Sequence, residues 1–205
     1  MLKRHWISEI DYIPPRCDGD QIVQSWDTAI KSEKRHDYSA GLTFLVRGPN
    51  TIYLIDALRE RLEFPELVHR IQDHANTHQA TTILIEDQVT GSSLVQTLQR
   101  LRFGVIPMKA TADKATRMYG YTSVLEGKAL HVVKGTSWYP DFLAEYLAFP
   151  QGKHDDQIDA LSQFLKWHQD RSFYGSLTAD WGREDDLGVP SGDAILALPR
   201  WPWRR

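Results

Sequence analysis

The sequence predicts an α/β domain built on a central mixed β-sheet, three antiparallel strands followed by parallel ones, flanked by helices. Three observations predict it. Short β-branched and aromatic runs separated by polar or turn-forming residues come first, at residues 22–27, 40–46 and 51–57. After residue 64, helical and extended patterns alternate, the order expected of crossover connections to parallel strands. The run at 81–86, Thr-Thr-Ile-Leu-Ile-Glu, is apolar without alternation, as in a strand covered on both faces.

The elements follow in order. Residues 1–20 are polar, carry Pro14-Pro15 and Asp18-Gly19, and read as a leader or linker ahead of a domain at 21–170. Gly48-Pro-Asn50 is a tight turn joining the second and third strands into a meander. The polar run at 31–37 reads as an exposed loop between the first two. A helix opens at Pro65 with Leu67, Val68 and Ile71 on one face, and feeds the buried strand at 81–86. A helix at 91–100, a strand at 105–108, a helix at 114–125, a strand at 129–133 and a helix at 139–146 come next. After the Phe149-Pro-Gln-Gly152 break, Ile158, Leu161, Phe164 and Leu165 mark a last helix at 155–168. From 171 to 205, Gly, Asp, Pro and Trp mix without period, which predicts a loosely ordered tail.

Composition narrows the class. A chain of 205 residues can bury one sizeable core. No stretch nears the roughly 18 apolar residues of a membrane span, and the start lacks a signal-peptide core, so a cytoplasmic protein is expected. Cys17 is the only cysteine, which excludes an internal disulfide and a thiolate zinc site. The net charge of -3 runs against the basic surplus of most nucleic-acid binders. Acidic residues gathered around cations would reconcile the two, with the basic residues sorted onto one face.

Three acidic positions fall where such a gathering can form. Asp27 ends the first strand, Glu86 ends the buried fourth, and Asp155, Asp156 and Asp159 crowd the first turn of the last helix. Strand ends and a helix N-terminus can share one rim of a sheet, where carboxylate oxygens suit Mg²⁺ or Mn²⁺. Hydrolysis of a phosphodiester by two ions about 3.5–4 Å apart needs a shared carboxylate, and Asp27 is the candidate bridge. Each position also has an ordinary explanation. Asp27 and Asp87 suit turns, Asp155 or Asp156 suits a helix cap, and Asp159 suits a solvated helix face. Lys114 and Arg117 are candidate phosphate contacts, Lys109 a weaker one, and His154 a candidate for proton transfer or capping.

The strings Gln24-Ser-Trp-Asp-Thr-Ala29, Ile85-Glu-Asp87 with Gly91 after it, Asp113-Lys-Ala-Thr-Arg117 and Phe149-Pro-Gln-Gly-Lys-His-Asp-Asp-Gln-Ile-Asp-Ala160 occur in this order. They resemble successive motifs of the C-terminal nuclease domain of tailed-phage terminase large subunits, over roughly residues 20–168. The resemblance implies a ribonuclease H-like fold and metal-dependent cutting of double-stranded DNA during genome packaging. Asp27, Glu86, Asp156 and Asp159 match the family's acidic positions, and Lys114 and Arg117 its basic pair. Which of the helix aspartates binds metal stays open. The implied partners are DNA, the terminase ATPase domain, the small terminase subunit and the portal, in the bacterial host cytoplasm. A whole large terminase would also carry a Walker A loop, and no Gly-x-x-x-x-Gly-Lys-Ser/Thr occurs here, so the expectation is a nuclease unit without its motor. Two alternatives use the same residues differently. One is a Holliday-junction resolvase or transposase-like nuclease of the same fold. The other is a non-catalytic module docking on portal or motor proteins, with the Trp181–Trp203 segment as an adhesive tail.

Overall fold

The computed structural model describes residues 1–28, 38–86, 91–109 and 113–180, the last nine of them as helical backbone only. Seven strands form one sheet: β1 (Ser8–Ile10), β2 (Gln21–Asp27), β3 (Ser39–Val46), β4 (Ile52–Glu60), β5 (Thr82–Glu86), β6 (Val105–Met108) and β7 (Leu130–Val133). Six helices accompany them: α1 (Phe64–His78), α2 (Gly91–Arg100), α3 (Lys114–Gly120), α4 (Thr122–Glu126), α5 (Tyr139–Ala148) and α6 (Asp156–Asp180). The sheet order is β1-β7-β4-β3-β2-β5-β6. Antiparallel pairing joins β2 to β3 and β3 to β4, and every other pair is parallel. The predicted meander followed by parallel strands is therefore the observed sheet.

Side-chain alternation sorts the core into two layers. Val23, Leu42, Phe44, Leu54 and Leu84 point into the larger one, with Phe142 and Tyr146 of α5 and Ile158, Leu161 and Phe164 of α6. Trp26, Ile83 and Ile85 point into the other, with Leu67 and Ile71 of α1 and Leu94 and Leu98 of α2. Trp26 is fully buried, and position 41 opposite it must be glycine: a Cβ there would lie 2.6 Å from the indole ring. In β4 the register slips so that Thr43 pairs with Asp56 and Phe44 with Leu54, leaving Ile55 as an extra residue. The bulge turns Asp56 away from the α6 layer and toward α1.

Four expectations need correction. The first ten residues are not a leader outside the core. β1 pairs with β7 at the sheet edge, and Leu2, Trp6 and Ile7 are buried in the main cluster. Their signal was faint because only three residues are extended and their partner lies more than a hundred positions away. The helix expected over 114–125 is two, broken at Tyr121, whose backbone is not helical (φ -107°, ψ 2°). The third strand of the meander runs on from the expected end at 57 to Glu60. The last helix continues past 168 to Asp180, so its first ten residues beyond the expected domain end at 170 are regular helix. The exposed-loop reading of 31–37 and the tail from 181 onward lie outside the described residues.

Candidate active site at the sheet rim

Parallel β2 and β5 end at the same edge of the sheet, and their alternation places Asp27 and Glu86 on the α6 side. Helix α6 is fastened to β2 just there. Ser25 Oγ donates to the Ala160 carbonyl at 2.8 Å, and Gln163 Nε2 donates to Ser25 Oγ at 3.0 Å and to the Trp26 carbonyl at 3.4 Å. These bonds hold the first turn of α6 over the end of β2. Asp159, only 8% exposed, and half-buried Asp156 are thereby aimed at the rim.

The helix start itself is capped from elsewhere. Buried Glu145 of α5 accepts from the Gln157 backbone N–H at 2.6 Å and from Gln157 Nε2 at 2.8 Å, and is bridged by Arg59 at 2.9 Å. Glu145 thus takes the amide that a local capping side chain would take. Asp155 is not spent on that bond: its carboxylate meets Lys114 Nζ at 2.8 Å.

Enclosure, then the neighbouring charges of Asp159 and Glu86, push the Asp27 carboxyl up to about 8. Burial, followed by Glu145 and Asp155, raises Asp156, and burial raises Asp159 even though Lys114 opposes it. Two basic groups from α3 face this cluster. Lys114 pairs with Asp155 and Asp159, and Arg117 reaches Glu86 at 3.4 Å and Asp159 at 3.1 Å. The Asp113 side chain accepts from Thr116 N at 3.1 Å, fixing the helix turn that presents both. Desolvation disfavours the Lys114 charge, but its bonds to Asp155 and Asp159 outweigh that and raise its pKa. Arg117 is mostly buried, and its Nε has no hydrogen-bond partner among the described residues. The donor set is all carboxylate oxygen, mutually repelling and already drawing in cations, which is the chemistry a hard divalent ion fits.

The family model of the terminase ribonuclease H-like domain matches residues 24–166, a span holding every acidic residue of this rim. The chain belongs to that family. Solved structures share its fold. The large terminase nuclease of thermophilic phage G20c with bound magnesium superposes with TM-score 0.60 at 12% identity, over 79% of this chain and 93% of that one. The large terminase nuclease domain of bacteriophage SPP1 with bound manganese gives 0.54 at 16% identity, over 80% and 97%. The fowlpox virus Holliday junction resolvase gives 0.51 at 14%, over 73% and 99%. No curated protein matches the chain.

In this terminase ribonuclease H-like domain a cleft beside the rim is lined by Glu86, Lys109, Arg117, Tyr121, Gln163 and Lys166. Lys109 borders it, with its backbone carbonyl accepting from Lys166 Nζ at 3.1 Å. His154 stands 4.0 Å from Asp156 and packs edge-on against Tyr38 at 5.4 Å between centroids. Asp87 lies outside the described residues. Sequence reading missed Glu145, whose place at a sequence-distant helix start no spacing discloses. It also missed a polar cluster on the opposite face, Asp56 with His74 and His78 of α1. Burial opposes ionisation of Asp56, but hydrogen bonds from both imidazoles prevail and hold its carboxyl well below the usual range. The available signal was the spacing of four between two histidines on an expected helix.

Proposed function

We propose that the acidic rim is the active site of a divalent-metal DNA endonuclease that hydrolyses phosphodiester bonds of double-stranded DNA during phage genome packaging. The observation carrying this reading is the placement of Asp27, Glu86, Asp156 and Asp159 around one end of the sheet in a chain of the terminase ribonuclease H-like family. Asp27, as the shared ligand, with Glu86, Asp156 and Asp159 would hold Mg²⁺ or Mn²⁺ in a two-ion arrangement, and Asp155 would stand at its margin. Two such ions, when bound, stabilise the attacking and the leaving oxygen of the phosphodiester. The chain's own residues do the rest. Half-buried Asp27 stands beside Asp159 and Glu86, so without a cation its carboxyl keeps a proton to about pH 8, and bound cations would displace that proton. Lys114 and Arg117 neutralise Asp155, Asp159 and Glu86, and they turn to the scissile phosphate once cations take over that task. Lys109 and Lys166 extend the positive border along which the duplex backbone would lie.

The ATPase domain, small subunit and portal are the proposed partners, and the isolated domain is expected to nick DNA weakly and without sequence preference. Conversion of supercoiled plasmid to nicked and linear forms tests the reading, with Mn²⁺, Mg²⁺ or EDTA and with Asp27→Asn alongside. Cutting that needs metal and disappears in Asp27→Asn is expected. Cutting that persists in the variant overturns it, and a marked preference for four-way junctions over linear duplex transfers it to a resolvase.

A further inference from the structure

On the sheet face away from the acidic rim, His74 and His78 project from one side of α1 and meet Asp56 of β4. His74 Nε2 lies 3.0 Å and His78 Nε2 2.9 Å from the same Asp56 Oδ2. The three atoms fall within 4.8 Å of one another. A tetrahedral ion with ligands at about 2.0–2.1 Å holds them roughly 3.3 Å apart, so the trio is close to a preformed half-shell. From these contacts we infer that Asp56, His74 and His78 form a separate metal site, selective for a zinc-class divalent ion over Mg²⁺. Two imidazoles and one carboxylate are the donors that favour Zn²⁺ or Co²⁺, whereas the all-oxygen rim favours hard ions.

Three local features build this site. The extra residue Ile55 turns Asp56 toward α1. The spacing of four brings the two rings together edge-on, with centroids 4.7 Å apart. A second set of contacts orients His74: its Nδ1 lies 3.0 Å from Gln24 Nε2 and 3.3 Å from Thr43 Oγ1. Trp26 Nε1 can only donate, and it does so to Gln24 Oε1 at 3.3 Å, which turns the Gln24 amide nitrogen toward His74. Without an ion the His74 proton therefore sits on Nε2, shared with Asp56. Binding an ion at Nε2 moves that proton to Nδ1, where Thr43 Oγ1 accepts it, while Gln24 Nε2 gives up its contact with Nδ1 and keeps its bond to Thr43 Oγ1 at 3.2 Å. The proton displaced from His78 Nε2 passes to its own Nδ1. The ion would pin the last turn of α1 to β4, a structural clamp with its fourth position open to water, since all three side chains keep some exposure.

The test is Zn²⁺ titration against a chromogenic chelator in the Asp27→Asn protein, which removes the rim's shared ligand, and in the same protein carrying His78→Ala or His74→Gln. One Zn²⁺ equivalent in the Asp27→Asn protein is expected, raising its melting temperature, with its affinity lowered at least about tenfold by His78→Ala. His78 is partly exposed on the final helical turn, so its loss leaves the fold intact, as far-UV circular dichroism would record. Absence of a Zn²⁺ equivalent in the Asp27→Asn protein, or an equivalent whose affinity both histidine variants leave unchanged, overturns the inference. Neither result bears on plasmid cleavage at the rim, which is read separately.

Discussion

Two residues show how little slack the site has. Gly41 faces a fully buried Trp26, and Trp26 precedes Asp27 on the same strand. Gly41→Ala forces the indole to shift, and a cost of about 1–3 kcal/mol is expected from denaturant melts. Because Trp26 is the backbone neighbour of Asp27 on β2, a shift that carries the strand with it displaces Asp27, and cleavage should fall further than stability alone explains. Arg117 plays a different part. Its guanidinium lies between Glu86 and Asp159, where it would compete with a metal held by the proposed site for the same oxygens. Arg117→Met should therefore tighten Mn²⁺ binding while slowing plasmid nicking. Calorimetry and the nicking assay, run side by side, would show both changes; weaker Mn²⁺ binding in the variant would mean that Arg117 serves only to hold the carboxylates in place.

At the scale of elements, the position of α6 decides whether the rim exists. Glu145 links α5 to its first turn, and Arg59 ties that link to β4. Glu145→Ala leaves a mostly buried guanidinium and a helix-start amide without their acceptor, a loss of about 3 kcal/mol by chemical denaturation. Mn²⁺ affinity should drop as well, although Glu145 reaches no proposed ligand directly, and Glu145→Gln should recover part of it by restoring an acceptor for Gln157. The sequence could show six of the strands, because Val, Ile, Leu and aromatic residues recur in runs long enough to read. It could show Asp27 and Glu86 because each closes such a run. It could not show Glu145, whose spacing looks like any helical face, nor β1, where Ser8-Glu9-Ile10 is too short to carry a pattern. The turn of Asp56 toward α1 was also hidden, since one inserted residue changes the face without changing composition.

For the molecule as a whole, the rim carries a stability cost. The Asp27 carboxyl ionises near 3.9 in an unfolded chain and at about 8 in the fold. Between those values the folded protein holds the extra proton, so metal-free stability declines as pH rises from about 4 to about 8. Thermal melts in EDTA should follow that slope, Asp27→Asn should flatten it, and Mn²⁺ should raise the melting temperature more at pH 8 than at pH 5. An upward slope in EDTA would mean that the rim carboxylates ionise without strain. Removing residues 1–10 is expected to cost several kcal/mol, since Leu2, Trp6 and Ile7 leave the core together and each buried side chain contributes about 1.5–3 kcal/mol.

The two borders of the sheet carry a last consequence. One is the three-residue β1, the other the four-residue β6 with Pro107 in it. Neither offers a neighbouring chain a run of backbone to copy, and proline withholds one amide altogether. Crowded or warmed, this domain should therefore clump, if at all, through its side chains, and its concentrated solutions should stay free of thioflavin-binding fibrils.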